Sequence, residues 1–497
     1  MESVVEAINS YVWSLPLVIL CLGAGVYFSI RTRFLQVRLI KDMVGQLFLG
    51  KASKKGVSSF QGFAMALGGR VGTGNIAGVA TAIGFGGPGA LFWMWMIAFL
   101  GAGSAYIEAA LGQVWKEEIG GVYRGGPAYY IEKGLGQKWY AVIFALITIL
   151  SCGILLPGIQ ANSIAVAFQG AFPAITPTIS GLFVTALLAL IIFGGVKRIG
   201  RTAELMVPFM AVGYVVMALI IVIIDIKRVP AVLAMIFNSA VGKNAVFGGI
   251  LGSAVLWGVK RGIFSNEAGQ GTGPQAAAAA EVPHPAKQGL VQAFSVYVDT
   301  LFVCTATGFM ILLTGVYNVA DGKGGYLVKN LVDSQGAAVE AGPLWTQAGI
   351  DTLLRGFGAH FVAIALFFFA FTTLLAYAFY TESNVAYLFK KKSRIAIPLA
   401  RIFMLFMVFY GAIRTAKLAW GMGDIGVGLM AWLNIIAILL LSKVGLATLK
   451  DYERQKREKV KELTFDPGSL GIRHASLWTY IRHHPELDGI IGQDFKD

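Results

Sequence analysis

Gly68-Gly69-Arg70-Val71-Gly72-Thr73-Gly74-Asn75-Ile76-Ala77-Gly78 interrupts an apolar run, from about Phe60 to Phe85, that is long enough to cross a bilayer. Each glycine inside a helix costs about 1 kcal/mol relative to alanine. A membrane helix holding five of them and an arginine at its centre is built to break there. Irregular backbone at membrane depth is tolerated only where protein buries it or where it lines a cavity. The stretch therefore reads as a midplane binding site made largely of main-chain groups.

The rest of the chain agrees with a membrane setting. Of its 497 residues 56% are hydrophobic and only 14% charged, too few charges for the surface of a soluble protein of this length. The apolar residues fall in runs of about 20, which predicts an all-α polytopic membrane protein, and no strand alternation points to a barrel. The net charge of +14 sits in short loops and in the C-terminal tail, so topology accounts for it and nucleic acid is not an expected partner. Cys21, Cys152 and Cys304 lie in apolar runs without metal-ligand spacing, so neither disulfides nor an iron–sulfur centre is expected. His284 and His360, near helix ends, and the three tail histidines read as solvated loop residues. Gly72 to Ala77 formally fits G-x-G-x-x-A, but the strand and the later acid of a dinucleotide site are absent. No zinc spacing, phosphate loop or nucleophile elbow appears, so an enzyme is not expected.

Residues 1–59 hold one helix, about Tyr11 to Ile30, and a basic loop with Arg31, Arg33, Arg38, Lys41, Lys51, Lys54 and Lys55. By the positive-inside rule the N-terminus lies outside and this loop in the cytoplasm. Five spans follow in residues 60–226: about Phe60–Phe85, Ala90–Trp115, Trp139–Phe168, Ile179–Gly194 and Glu204–Ile226, with Lys197, Arg198 and Arg201 between the last two. Gly125 to Ile131 reads as an interfacial or re-entrant piece. Residues 227–442 hold a surface stretch and five more spans: about Ala245–Ala280, Gln288–Val316, His360–Phe389, Ile395–Ile413 and Ile425–Leu441. The total is about eleven. The tail, 443–497, is cytoplasmic, and its charge run from Lys450 to Lys459 reads as a solvated helix near anionic lipid.

The first span of the second set is interrupted as well, at Gly258 to Gly271. Leaving out the N-terminal helix, two sets of five helices of opposite orientation each begin with a broken member. That is the pattern of a 5+5 inverted repeat, with substrate and ion where the breaks meet. Gly74 and Gly78 also have the spacing of a close-packing face. Packing alone would not explain Arg70, Asn75, Lys260, Arg261, Asn266 and Glu267 at similar depth.

Gly72-Thr73-Gly74-Asn75-Ile76-Ala77-Gly78-Val79 with Gly86-Gly87-Pro88-Gly89-Ala90 carries a resemblance. So do Arg261 to Gly269, Gly273-Pro274 and Pro285-Ala286-Lys287-Gln288-Gly289-Leu290. On these strings, and along nearly the whole chain before the tail, the sequence resembles the alanine or glycine:cation symporter family. That family lies within the superfamily sharing the leucine-transporter (LeuT-like) fold. The wider superfamily's Gly-Asn-x-Val-Gly-x-Gly-Asn becomes Gly68 to Asn75 here, departing at Gly69 and Arg70.

The resemblance implies sodium-coupled import of a small neutral amino acid, alanine and/or glycine, by alternating access across the cell membrane. The alternative is a proton-coupled or uncoupled facilitator. No cofactor is implied beyond Na+ as coupling ion. The resemblance joins Gly68 and Val71 carbonyls to Thr372 and Thr373 hydroxyls as a sodium site, although threonines also bond back to their own helix. An amino-acid carboxylate suits the N–H groups of Thr73, Gly74 and Asn75 at a half-helix end. Carbonyls near Gly262, Ile263 and Phe264, and the amide of Gln160, are candidates for the ammonium, with Asn266 on the same break. Gln160 and Asn162 equally suit local bonding at a kink after Pro157-Gly158. Phe168 and Phe369 either roof the pocket or pack. Arg70 is expected to pair with Glu267 or Asp299, and Arg261 with an acid near the cytoplasmic half of its helix.

Overall fold

The computed structural model describes residues 2–48, 52–53 and 55–483. Lys51, Lys54, His484 and the end of the tail lie outside the described residues. Helices dominate. The expected first helix is bent: Glu2–Val12 and Leu15–Arg31 meet at 40°, with Pro16 opening the second piece. Among the described residues, six helical stretches are long and apolar enough to cross a membrane, or seven with that bent pair, and Gly74–Gly86 and Pro177–Ile192 are shorter apolar helices. One of the six, Gly358–Ala412, holds two helices, Gly358–Phe389 and Ser393–Ala412, divided by a tight turn at Lys390–Lys392. The chain is not wholly helical. Two short hairpins, Glu117–Ile119 with Val122–Arg124 and Asn318–Ala320 with Tyr326–Lys329, lie in the connections.

Gly89–Val114 is the central helix. It packs on Leu15–Arg31, on both pieces of the second broken helix and on Pro285–Tyr297. Its run Gly101-Ala102-Gly103-Ser104-Ala105 is buried, and small side chains there let neighbouring backbones approach. Lys138–Leu150 and Leu156–Ala171 form one span through a wide turn at Ser151–Leu155, where Pro157 lacks the N–H to continue the ladder. Gly195–Ile224 starts earlier than the sequence suggests, so Lys197, Arg198 and Arg201 are helical and not in a loop. The glycine-rich piece after Arg124 becomes the helix Pro127–Leu135, buried at its start.

The first broken helix starts at a reciprocal cap between Ser58 and Gln61, runs Ser59–Arg70, and resumes as Gly74–Gly78 and Val79–Gly86. The second runs Leu251–Asn266 and resumes as Gly273–Ala279. Glu267, Gly269 and Gly271, with φ of 55°, 82° and 90°, form the irregular link between its pieces. This break is later and shorter than Gly258 to Gly271, because Gly258 serves packing. A Cβ there would lie 2.6 Å from the Ala90 carbonyl. The two broken helices run in opposite directions. Val57, before the first, is backbone-bonded to Ala279 and Glu281 at 2.9 and 2.8 Å, whereas Gly86 lies against Ala254.

One reading of the basic end is corrected, and a second, the solvated charge run, in part. His284 is fully buried: its Nδ1 accepts the Ala286 N–H at 3.1 Å, and its Nε2 lies 3.1 Å from Asp451. The histidine caps the next helix, so it is no solvated loop residue. The charge run is likewise docked. Within Ser442–Arg457, Asp451, Tyr452 and Gln455 are buried, and Glu453 meets Arg33 and Arg38 at 2.7 and 2.5 Å. Further along, Trp478 donates to the Gln113 carbonyl at 2.9 Å.

Candidate functional site

The gap between Arg70 and Gly74 leaves carbonyls without helical partners, and helix Gly358–Phe389 supplies hydroxyls to them. Thr373 Oγ1 lies 2.9 Å from the Gly68 carbonyl and 3.5 Å from that of Val71. Thr372 Oγ1 lies 3.5 Å from the Gly68 carbonyl. Both hydroxyls also reach back to the Phe369 carbonyl, at 2.9 and 3.0 Å. The structure thus brings Gly68, Val71, Thr372 and Thr373 together as a buried set of neutral, hard oxygens. Such a set lacks the carboxylates a divalent ion requires and fits a monovalent alkali cation. Gly72 permits the approach, since a Cβ there would lie 2.3 Å from Thr373 Oγ1 and 3.1 Å from Gln160 Oε1.

The first break touches the last turn before the second. A Cβ on Gly74 would lie 3.1 Å from both the Phe264 ring and Ser265 Cα. Gln160 Oε1 accepts the Thr73 N–H at 3.1 Å and the Thr73 hydroxyl at 2.8 Å. Asn75 accepts the Gly72 N–H at 2.8 Å and donates to Asp299 at 2.6 Å. Asp299 lies on a wide turn, Val298–Cys304, and also accepts from Ser265 at 3.0 Å and Thr300 at 2.7 Å. Asn266 donates to Thr300 at 3.2 Å and accepts the Ala268 N–H at 3.0 Å. Gly262 and Phe264 lie within the helix, and the Ile263 carbonyl, expected to be free, accepts the Glu267 N–H at 2.9 Å. Asn162 turns away, donating to the Arg414 carbonyl at 2.6 Å. Phe369 lies beside Tyr214 at 5.0 Å, and Phe168 against Phe172 and Phe367 at 6.0 and 6.1 Å, ring contacts typical of packing.

The expected partners of the arginines are corrected. Arg70 pairs with neither Glu267 nor Asp299. Its Nη1 donates to Gln292 Oε1 at 3.0 Å and to Ser295, while Nε and Nη2 have no hydrogen-bond partner. Arg261 lies before the break, away from the basic end, and grips Asp424 with both guanidinium nitrogens at 2.8 and 2.9 Å. Lys260 joins it at 2.7 Å, and the rings of Trp257, Phe264 and Trp420 surround the guanidinium at 5.2, 5.5 and 4.7 Å.

Glu108 escaped the sequence reading. It lies fully buried in the central helix and accepts from the Gly269 and Gly271 N–H groups, each at 3.2 Å, and from Asn434 at 2.7 Å. One carboxylate thereby fixes the second break. Its signal was available: a lone acid inside a run of alanines and glycines is costly unless it has a task.

The model of the sodium:alanine symporter family matches residues 1–467. A putative sodium/proton-dependent alanine carrier protein, YrbD of Bacillus subtilis, is 57% identical over 96% of this chain and 98% of its own. The sodium/alanine symporter AgcS of Methanococcus maripaludis is 37% identical over 92% and 99% respectively. A probable sodium/glutamine symporter, GlnT of Bacillus subtilis, is 43% identical over 92% of each. A solved structure of a substrate-bound, outward-open Na+-coupled sialic acid symporter is similar over 95% of this chain and 97% of that one, at 14% identity and a TM-score of 0.45. With residues 1–467 inside the family's match, and a relative 57% identical over 96% of its length, the chain belongs to the sodium:alanine symporter family.

Proposed function

We propose that this multi-pass membrane transporter, which is not an enzyme, imports small neutral amino acids, alanine and/or glycine, by sodium-coupled alternating access. The family and the relatives' names carry the substrate and ion. The convergence of Gly68, Val71, Thr372 and Thr373 on one buried point carries the mechanism. Sodium there ties the unwound segment to helix Gly358–Phe389. The same segment, through the main chain of Thr73, Gly74 and Asn75, receives the substrate carboxylate. Each ligand then orders the groups that bind the other, and their affinities rise together. Gln160, Asn266 and the main chain of Gly262 and Phe264 face the ammonium once rearrangement releases them, and Phe168 and Phe369 bound the pocket. Residues 60–226 and 227–442 act as two inverted repeats of five spans, after one N-terminal helix, eleven in all. Arg33, Arg38 and Lys390 to Lys392 mark the cytoplasmic end, which leaves the N-terminus outside.

A second reading makes a proton the coupled ion, and one observation favours it. Glu267 is fully buried, with the Thr272 hydroxyl 2.7 Å from one oxygen and no hydrogen-bond partner on the other. Alanine uptake into proteoliposomes, under an inward sodium gradient or an inward proton gradient, separates the readings. Accumulation driven by sodium supports the first. Uptake indifferent to sodium and driven by protons replaces it with the second.

A further inference from the structure

An open groove of about 680 Å³ lies at the basic end, between the segment after Leu15–Arg31 and the tail helix Ser442–Arg457. Its walls carry six cations, Arg33, Arg38, Lys450, Arg454, Lys456 and Arg457, and a single acid, Glu453. Glu453 is taken by Arg33 and Arg38, Arg454 by Asp451 and Glu458 at 2.6 and 3.2 Å, and Lys456 by Asp42. Among the described residues, Lys450 and Arg457 have no acid in reach, and both are exposed. Against the six cations stand four acids in all, Glu453 in the groove and Asp42, Asp451 and Glu458 beside it, which leaves two positive charges unneutralised.

Its depth relative to a bilayer is marked by the neighbouring side chains. Along the segment from Phe34 to Phe48, Leu35, Leu39, Met43 and Leu47 are buried against the protein. Phe34, Val37, Ile40, Val44 and Phe48 are 41–74% exposed. A row of exposed apolar side chains beside a basic edge, directly after a membrane helix, belongs in the interfacial layer. There the apolar row meets acyl chains and the groove opens at headgroup level.

We propose that this groove binds the headgroup of an anionic phospholipid, with Lys450 and Arg457 contacting its phosphate and the Phe34–Phe48 row contacting its chains. A soluble phosphate would satisfy the cations but leave the apolar row without a partner. The occupant also has a route to the transport site. The tail helix holds Asp451 on His284, which caps the helix following the second broken one. A bound lipid thus fastens the tail helix against the start of Pro285–Tyr297, the helix that follows the second broken one.

The test uses the full chain and a Lys450→Gln/Arg457→Gln variant, which breaks no ion pair. Each is reconstituted in phosphatidylcholine vesicles with and without phosphatidylglycerol, extracted, and weighed by native mass spectrometry for retained lipid. The parent should keep phosphatidylglycerol, and the variant should bind it about 30-fold more weakly, as expected for two interfacial cations. Equal sodium-driven alanine uptake in phosphatidylcholine alone certifies that the variant is folded. Retention unchanged in the variant overturns the proposal. So does displacement of the lipid by inorganic phosphate at low millimolar concentration, which would make the groove a site for a soluble anion. Should the variant fail to fold, Arg457→Glu alone is read in the same way.

Discussion

The side-chain amide of Asn75 donates to the carboxylate of Asp299 across 2.6 Å, and that carboxylate also accepts from Ser265. Asn75 belongs to the first broken helix and Ser265 to the last turn of the second before its break. One acid from a third helix therefore holds both broken helices in register. Nothing in their own hydrogen-bond ladders could do so.

Asp299→Ala should uncouple the two breaks. A buried charge-assisted bond contributes about 1.5–3 kcal/mol, and leaving Asn75 and Ser265 unsatisfied adds to the loss. Thermal unfolding in detergent should show destabilisation of about 2–4 kcal/mol, with alanine uptake abolished. Wild-type stability in this variant would remove Asp299 from the account.

Gly72→Ala tests the close approach. The new methyl would sit 2.3 Å from the Thr373 hydroxyl, so helix and break must part. Overpacking of this kind costs about 1–3 kcal/mol, which a membrane protein of this size survives. Normal insertion and expression with alanine binding lost is the expected outcome. Retained binding at parental sodium affinity would show that the contact is dispensable.

Acidification should loosen the tail. Burial pushes the His284 imidazole below its ordinary value, and Asp451 only partly opposes this. Burial would raise Asp451 too, but hydrogen bonds from His284, Arg454 and Gln455 outweigh it and bring the carboxyl to about 2. A base with a lowered folded pKa contributes stability that is whole above its unfolded value of about 6.5 and drains as pH falls below it. The Asp451 contribution, present above about 3.9, is lost only as pH falls toward its folded value. Amide protection across residues 442–457, corrected for the pH dependence of intrinsic exchange, should therefore fall as pH drops from about 7.5 to about 5.5. His284→Asn should flatten that dependence, and an unchanged profile in the variant would refute it.

The glycine-rich stretches were legible because a broken membrane helix needs residues that break helices. Local composition reports that need directly. Gly68 to Gly78 therefore told its own story. The sequence sets the second break too early, since Gly258 and Gly262 look the same whether they serve a break or a neighbouring backbone. Arg70 illustrates a different limit. Its charge demanded partners, but Gln292 and Ser295 lie more than 200 positions away and are neutral, so no charge rule selects them. His284 between two prolines looked like an exposed turn because its burial comes from a tail helix far along the chain. Glu108 was visible as a lone acid, and its task became clear only with the amides it holds.

In the proposed mechanism Thr372 and Thr373 complete a sodium site with the broken first helix. Its most direct test is the sodium concentration giving half-maximal alanine uptake in proteoliposomes, measured for the parent and for Thr373→Val. Valine keeps the shape and removes one ligand oxygen, so the half-saturating concentration should rise by about tenfold or more, the equivalent of about 1.4 kcal/mol, with uptake recovering at high sodium. An unchanged sodium dependence would contradict the site and the coupling mechanism built on it.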